Sequence, residues 1–414
     1  KKKELMIRWI IFLVFVIILE IYAFQAFRML IKSKLFFIFY YITSVIALTY
    51  IVYQLYHFDR SVGQTPKTMM TMGLLLLLYV PKLLLTFILF GEDVVRFISG
   101  LFSLATKSGS DNFLPERRRF VSQIALGVAA IPFASFLYGI TIGKYNFKVI
   151  KQTLFFPDLP EAFDGTTITH ISDVHSGSFD DADKIQYAID LINEQNSDLV
   201  LFTGDIVNTH ATEMDPWIET FKGIHNPKFG KFSILGNHDY GEYVDWNSKA
   251  EKQANFEAIK DLHRKIDFKL LLNEHVKIEN SNQELVIVGV ENWGRKFGER
   301  GDLNLASQGL TKDDFKIVMS HDPSHWDEKI QHDEKHYHLT LSGHTHGFQF
   351  GIEIPGWFKW SPVQYVYKQW AGLYENVGRY VYVNRGFGFH AYPGRVGIMP
   401  EITVIELKKE EKVV

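Results

Sequence analysis

The residues best suited to chemistry occur in five short polar clusters in the C-terminal part of the chain. Each cluster follows a run of β-forming residues. In chain order the clusters are Ser172-Asp173-Val174-His175, Gly204-Asp205-Ile206-Val207-Asn208, Gly236-Asn237-His238-Asp239, Ser320-His321-Asp322 and Ser342-Gly343-His344-Thr345-His346. Oxygen and imidazole donors without thiolates suit Mn, Fe or Zn better than Ca or Cu(I). Because these donors exceed the needs of one ion, the sequence predicts two divalent metal ions sharing one carboxylate, a clamp that hydrolyses phosphate esters.

The spacing of the clusters predicts that they converge. Asp173 and Asp205 are 32 residues apart, as are Asp205 and Asn237, and a βαβ unit takes about 30 residues. Open α/β sheets bind ligands outside the carboxyl ends of their strands, so such crossovers bring the clusters to one edge. Segment 181–195 has apolar residues at helical spacing, which predicts a helix covering a partly parallel sheet. The runs predicted as strands are 166–171, 198–203, 231–235, 285–290, 315–319 and 337–341.

The composition excludes several classes of function. The 414 residues include 44 basic and 47 acidic side chains, for a net charge of −3. No excess positive charge is available to follow a polyanion, so we expect no nucleic-acid partner. The absence of Cys excludes disulfides, zinc fingers and thiol nucleophiles. The 34 Phe, 19 Tyr and 8 Trp residues argue against disorder.

Long apolar stretches dominate the first 142 residues. About 20 apolar residues cross a bilayer as a helix, and four windows meet this condition: 9–27, 35–56, 68–90 and 120–142. We therefore predict an α-helical transmembrane anchor over 1–142, a linker over 143–151 and an α/β domain over 152–414. Residues 91–119, between the last two windows, are also expected to be a linker.

Two ionisable residues interrupt these windows. Glu20 is either a functional group at membrane depth or a residue near one end of a tilted helix. Lys82 follows Pro81 in the third window, where the proline would kink the helix and the lysine would snorkel toward the interface. The lipid bilayer is thus the first expected partner.

The orientation of the anchor is open from charge alone, because nine basic residues on one side face eight on the other. Arg117-Arg118-Arg119-Phe120-Val121, before the last window, resembles a twin-arginine export signal. If these arginines stay cytoplasmic, everything after residue 143 is extracytoplasmic. The alternative is a plain basic cluster that flanks a helix.

In this order, the clusters resemble the calcineurin-like metallophosphoesterase superfamily, whose pattern is Asp-x-His, Gly-Asp, Gly-Asn-His-Asp/Glu, a later His and Gly-His-x-His. The run 343–349 and the tail with Asn384-Arg385-Gly386, Arg395 and Pro400-Glu401-Ile402 resemble its membrane-associated bacterial branch. The resemblance covers roughly residues 152–408. It implies a two-sheet sandwich flanked by helices, at a bacterial inner (cytoplasmic) membrane.

The resemblance also implies roles for individual residues. The first metal would be held by Asp173, His175, Asp205 and His346. The second would share Asp205 as a bridge and be completed by Asn237, His321 and His344. His238 would face the leaving group while Asp239 orients its ring, the two forming the catalytic pair. A hydroxide bridging the metals would attack the phosphorus.

Other residues bear on the substrate. Phe348 stands where the superfamily usually has a glycine, so its ring is expected to narrow the pocket; Asn208 stands where the second motif often has another Asp. Arg385 and Arg395 are candidates for a bidentate grip on a substrate phosphate or carboxylate, or else form structural ion pairs. The aromatic segment 356–370 is expected either to dip into the membrane interface or to cap the domain.

The sequence therefore predicts a membrane-anchored, dinuclear-metal phosphoesterase. Its expected substrate is a phosphate ester or pyrophosphate, lipid-linked or related to the cell envelope, because the anchor holds the domain near lipid. One alternative is a phosphodiesterase for soluble nucleotides. Another is a membrane sensor or transporter that binds metal without hydrolysis, although such a protein would not need His238.

Overall fold

The computed structural model describes residues 2–106, 115–354 and 356–410. The chain divides into two compact units. A helical unit comprises Lys1–Phe58 and Lys67–Tyr138, and an α/β unit comprises Asp59–Pro66 and Gly139–Val414. The short segment Asp59–Pro66, which joins two helices of the first unit, thus belongs to the second.

The described part of the helical unit contains four long helices. Each is long and apolar enough to cross a membrane, over 9–30, 34–56, 66–102 and 117–141. The four windows expected from the sequence lie on these helices. Their bounds are α1 (Lys2–Leu30), α2 (Lys34–Tyr56), α3 (Pro66–Thr106) and α4 (Pro115–Thr141).

Helix α3 continues well beyond its predicted window. Residues 91–106, expected to be a linker, are helical, and their charges are paired: Arg96 bonds Glu92 one turn away, at 3.3 Å. Arg118 of the export-like motif donates to Glu92 at 2.5 Å and to Asp93 at 2.9 Å. In the sequence these charged residues favour a polar linker. In the structure they form a network of ion pairs between α3 and α4. Residues 115–119 of the expected linker are helical as well, since α4 begins at Pro115; residues 107–114 lie outside the described residues.

Glu20 and Lys82 form an ion pair inside the helical unit. Lys82 Nζ lies 2.5 Å from Glu20 Oε1, and both side chains are largely buried. The hydroxyls of Tyr40 and Ser44 donate to Glu20 Oε2 at 2.8 and 3.1 Å. Lys82 Nζ also lies 5.1 Å from the ring centre of Tyr79, a cation–π distance. Glu20 is thus paired in mid-helix, and Lys82 does not snorkel.

Breaking this pair should destabilise the helical unit. Glu20→Leu leaves Lys82 buried without a counterion, so we expect a loss of about 3 kcal/mol in the free energy of unfolding. Glu20→Leu combined with Lys82→Met should recover most of that loss, because apolar residues replace both charges. Unfolding of the full chain in mixed micelles measures the effect. If Glu20→Leu alone were as stable as the wild type, the ion pair would contribute nothing to the free energy of unfolding.

The α/β unit carries two six-stranded mixed sheets. The first has the order β1-β16-β2-β3-β4-β5 and the second β14-β15-β11-β10-β7-β6. The strands are β1 (Lys148–Phe156), β2 (Thr167–Ile171), β3 (Leu199–Phe202), β4 (Lys231–Ser233), β5 (Lys269–Leu270), β6 (Glu274–Asn280), β7 (Gln283–Gly289), β8 (Trp293–Gly294), β9 (Gly298–Glu299), β10 (Lys316–Met319), β11 (Leu339–Ser342), β12 (Ile352–Ile354), β13 (Phe358–Trp360), β14 (Gly372–Asn376), β15 (Arg379–Val383) and β16 (Glu401–Lys409).

One apolar core joins the two sheets, which confirms the predicted sandwich. Leu201 of β3, Ile317 of β10 and Ile405 of β16 lie in the same buried cluster. Helices cover the outer faces, and α5 buries Ile185 and Ile189 on one side, as the periodicity predicts. The helices are α5 (Ala182–Glu194), α6 (Ile218–Lys222), α7 (Lys249–Lys265), α8 (Leu303–Ala306) and α9 (Ser324–Glu328).

The topology gathers the polar clusters at one edge. Strands β2, β3 and β4 run parallel in the first sheet, and β10 and β11 run parallel in the second. All six strands expected from the sequence are present. The expected linker 143–151 differs, because from Lys148 it forms β1, which pairs in parallel with the C-terminal strand β16.

Candidate metal centre

Two groups of donor atoms meet at the carboxyl ends of the strands. Asp173, His175 and His346 form the first group. His346 Nε2 lies 3.0 Å from His175 Nε2 and 3.2 Å from Asp173 Oδ1. The three side chains come from the ends of β2 and β11, in different sheets, so the sandwich itself assembles this group.

The second group consists of Asp205, His321 and His344, with Asn237 between the two histidines. Asn237 Oδ1 lies 3.1 Å from His321 Nε2 and 2.7 Å from His344 Nδ1. The Asn237 amide nitrogen donates to Tyr243 Oη at 2.7 Å. This bond turns the amide oxygen toward the histidines.

Asp205 lies between the two groups. Its Oδ2 is 3.6 Å from His175 Nε2 in the first group and 3.2 Å from His321 Nε2 in the second. Donors that share one ion at about 2.1 Å lie roughly 3.0–3.4 Å apart. The observed separations match this spacing within a few tenths of an ångström. The residues therefore fit a pair of divalent ions with Asp205 as the shared ligand.

Hydrogen bonds fix which nitrogen of His175 and of His321 faces the centre. His175 Nδ1 donates to Asn208 Oδ1 at 3.0 Å, and His321 Nδ1 donates to the Thr203 carbonyl at 2.7 Å. In the neutral, metal-binding form of each ring, Nε2 therefore carries a lone pair directed at the neighbouring donors. Such partners orient metal ligands and raise their basicity.

The backbone around the centre is strained. Asp173, Asp205 and His344 have φ angles of 53°, 59° and 70°, in the left-handed region that residues with a β-carbon rarely adopt. Strain of this kind clusters at functional sites. Two glycines make room for the carboxylates, since a β-carbon on Gly236 would lie 2.2 Å from Asp205 Oδ1 and one on Gly343 2.1 Å from Asp173 Oδ2.

The electrostatics of the centre favour positive charge. Burial alone would raise the pKa of Asp173 and of Asp205, but neighbouring histidines, His346 and His321 respectively, hold both below the usual carboxyl value. Burial also opposes charge on His321, yet Asp205 and Asp173 raise its pKa to about 10. Two buried carboxylates at this spacing need a cationic partner, which divalent ions would supply.

His238 lies beside the first group. Its Nδ1 donates to the Asn208 carbonyl at 2.8 Å, which leaves Nε2 available. Its ring centre is 4.9 Å from that of His175. Asn208, noted in the sequence as a departure, thus holds both His175 and His238.

Asp239 does not have the predicted role of orienting the His238 ring. Its buried carboxylate accepts backbone N–H bonds from Asp205, Ile206 and Gly236, at 2.9, 3.0 and 2.8 Å. Asp239 therefore fixes the two loops that carry Asp205 and Asn237. Burial and the charge of Asp205 raise its pKa to about 7.

The predicted substrate grip of Arg385 and Arg395 is not what the structure shows. Arg385 is buried and bonds Glu401 and Glu353, the ion-pair alternative left open by the sequence. Arg395 is fully buried and donates to the carbonyls of Arg385 and Gly386, at 2.6 and 3.1 Å. Both arginines therefore shape the turn that follows β15.

The loop after this turn brings His390 to the metal centre, a residue that no sequence motif indicates. The ring centre of His390 lies 4.4 Å from that of His238 and 4.9 Å from that of His175. The His390 amide donates to Gln349 Oε1 at 2.5 Å. Gln349, the last residue of the motif at 343–349, could have indicated that a further loop is bound here.

Several apolar side chains are exposed in the segment that follows His346. Phe348, two residues after His346, is 52% exposed, and Trp357 and Tyr365 are 81% and 78% exposed. Trp370 and Val363 of the same segment are buried. Segment 356–370 therefore caps the domain with some residues and presents others outward. We name the exposed set the apolar patch: Phe348, Ile352, Ile354, Trp357, Phe358, Tyr365 and Val366.

Comparison with known proteins agrees with this geometry. Residues 166–348 match the family model "Calcineurin-like phosphoesterase", and residues 7–144 match "Probable Calcineurin-like phosphoesterase, transmembrane domain". The chain is 30% identical over 297 residues to the uncharacterized metallophosphoesterase YkuE of Bacillus subtilis, covering 70% of this chain and 97% of that protein. It is 28% identical over 301 residues to the phosphodiesterase YaeI of Escherichia coli, covering 70% and 98%.

A further relative matches both units. An uncharacterized metallophosphoesterase of Campylobacter jejuni is 24% identical over 396 residues, which span 92% of this chain and 93% of that protein. With four membrane-capable helices, the chain is an integral membrane protein. The chain belongs to the calcineurin-like metallophosphoesterase family and is a membrane-linked, metal-dependent phosphoester hydrolase.

Proposed function

We propose that this protein hydrolyses a phosphate ester or pyrophosphate of a lipid-linked molecule at the membrane. The observation that carries the hydrolysis is the position of Asp205 between two complete donor groups. The observation that favours an amphiphilic substrate is the apolar patch, which begins two residues from His346.

The donors divide into two sets that share Asp205. Asp173, His175 and His346 would hold one ion, and Asn237, His321 and His344 would hold the other. When bound, Mn, Fe or Zn ions would activate water near neutral pH and neutralise charge on the phosphoryl oxygens. His238, its Nδ1 fixed by the Asn208 carbonyl, presents Nε2 to the leaving group. In its imidazolium form it donates the Nε2 proton to the departing oxygen and becomes neutral imidazole. His390 borders the same space, its ring centre 4.4 Å from that of His238.

Phe348 carries the argument for a lipid. Its φ of 52° lies in the left-handed region, which costs a residue with a β-carbon about 1 kcal/mol. A glycine would adopt this conformation without that cost. A strained, exposed aromatic residue beside a polar centre is best explained by contact with an apolar part of the substrate.

Substrate comparison with a Phe348 variant tests this proposal. We expect the full chain, in detergent with Mn²⁺, to hydrolyse a lipid diphosphate in preference to cyclic nucleotides. Phe348→Gly should raise KM for the lipid roughly tenfold, because one aromatic contact is lost. It should leave hydrolysis of bis(p-nitrophenyl) phosphate unchanged. Phe155→Ala removes an equally exposed ring from β1 and should change neither substrate.

Other outcomes would favour the alternatives. Preference for cyclic nucleotides, with no effect of Phe348→Gly, would indicate a soluble-nucleotide phosphodiesterase. Metal binding without hydrolysis of any phosphate ester, with several metals, would indicate a sensor or transporter.

We also propose that the protein lies in a bacterial inner membrane with its α/β domain extracytoplasmic. If α3 and α4 each cross the membrane once, segment 57–65 and the α/β domain lie on the same side. The support for this orientation is the arginine cluster at 117–119. A reporter enzyme that is active only outside the cytoplasm should be active when fused after Val414. Activity instead from a reporter that works only in the cytoplasm would reverse the orientation.

A further inference from the structure

The loop between α2 and α3 makes specific contacts within the α/β unit. Gln64 is half-buried, and its side-chain amide bonds two separate segments. Its Nε2 donates to Ser178 Oγ at 2.9 Å, and its Oε1 accepts from the Ala391 amide at 2.7 Å. Both functional atoms of the side chain are therefore used.

The first contact leads to a proposed metal ligand. Ser178 Oγ accepts from Asn208 Nδ2 at 3.1 Å, and Asn208 Oδ1 accepts from His175 Nδ1 at 3.0 Å. A continuous line of hydrogen bonds thus runs from Gln64 to the imidazole of His175. Partners of this kind hold a ligand ring in its binding orientation.

The second contact leads to His390. Ala391 follows His390 directly and has a φ of 60°, a conformation that needs support from its surroundings. Gln349 bonds this loop from inside the domain, accepting from the His390 amide at 2.5 Å and donating to the Tyr392 carbonyl at 2.9 Å. Gln64 bonds the same loop from the segment between the membrane helices.

The rest of the loop fixes the position of Gln64. The Arg60 carbonyl accepts from the Asp245 amide at 3.3 Å. Gly63 has a φ of 72°, and a β-carbon there would lie 2.8 Å from Val244 Cγ1. The loop therefore lies tightly against the segment that follows His238.

From these contacts we infer that Gln64 is a positioning residue of the metal centre. It holds the Ser178–Asn208 line that orients His175 and the loop that carries His390. The loop between α2 and α3, which belongs to the α/β unit, then contributes a residue that supports the site. This inference rests on the proposed function of the centre.

Mn²⁺ binding to the full chain in detergent tests the inference without requiring turnover. Gln64→Ala should weaken Mn²⁺ binding about tenfold at whichever of the two ion sites is more affected. It should also slow hydrolysis of bis(p-nitrophenyl) phosphate. Ser178→Ala should weaken binding similarly, and the double variant should be no weaker than either single one, because both act on one line of bonds. Arg60→Ala, a matched change in the same loop at an exposed ion pair with Asp245, should leave Mn²⁺ affinity unchanged.

The outcomes separate the inference from the proposed function. Unchanged Mn²⁺ affinity in a folded Gln64→Ala variant would overturn the positioning role, as would equal losses in Gln64→Ala and Arg60→Ala. Wild-type protein that binds Mn²⁺ without hydrolysing phosphate esters would overturn the proposed function, while the affinity comparison would still decide the role of Gln64. Wild-type protein that binds no Mn²⁺ would overturn both.

Discussion

Replacement of Asp205 by Asn should abolish metal-dependent hydrolysis, with a fall in turnover of about 10³-fold or more. Asp205 lies within 3.6 Å of His175 and 3.2 Å of His321, so its loss affects both groups of donors. The Asn variant keeps the shape of the side chain and an oxygen that accepts the His238 amide bond, seen here at 2.8 Å. Asp205→Ala should lose turnover equally, since the shared anionic ligand is what matters.

A binding readout separates this effect from misfolding. A metal present at 100 times its Kd stabilises the folded state by about 2.7 kcal/mol, so Mn²⁺ should raise the melting temperature of the wild type. The Asp205→Asn variant should melt near the metal-stripped wild type and gain little from Mn²⁺. Asp190→Asn, which removes an exposed carboxylate from α5, should retain the full gain. Substantial hydrolysis by Asp205→Asn, or by metal-stripped wild type, would show that the shared ligand is misassigned.

The metal centre could be predicted from the sequence because its residues are tied to strand ends. Asp173, Asp205 and Asn237 each follow a short buried strand, and parallel strands place such residues at one edge. His321 and His344 follow two parallel strands of the opposite sheet. Local patterns were therefore sufficient to indicate convergence.

Roles that depend on distant partners could not be predicted in this way. Asp239 lies in the predicted motif, but its carboxylate accepts backbone N–H bonds from Asp205 and Ile206. The sequence around Asp239 does not show these partners. Arg385 is paired with Glu353 and Glu401, an arrangement set by the fold of the C-terminal segment. Gln64 bonds Ser178 and Ala391, which are 114 and 327 residues away. No periodicity or motif relates positions so far apart.

Strand β1 was missed for a different reason. Its first six residues, from Lys148, are exposed or half-buried and none is fully buried, so they lack the continuous buried apolar run of a central strand. The strand exists because β16, at the other end of the domain, pairs with it over nine positions. A pairing between distant segments thus decides a structure that local composition assigns to a linker.

Replacement of His238 by Ala should separate proton transfer from metal binding. His238 lies beside the first donor group and is held by the Asn208 carbonyl, so the variant should bind Mn²⁺ as the wild type does. General acid catalysis contributes about 10²–10⁴-fold, and kcat for an alkyl phosphate ester should fall within that range. The loss should be much smaller for a p-nitrophenyl ester, because p-nitrophenolate departs without a proton.

The dependence on the leaving group is the decisive part of this test. A variant that had merely distorted the centre would lose activity toward both esters alike, and its Mn²⁺ affinity would fall with it. His225→Ala, which removes an exposed imidazole from a surface loop, should leave both rates unchanged. Equal losses toward alkyl and p-nitrophenyl esters would mean that His238 does not protonate the leaving group. His390, whose ring lies 4.4 Å from that of His238, would then be the next candidate for this proton transfer.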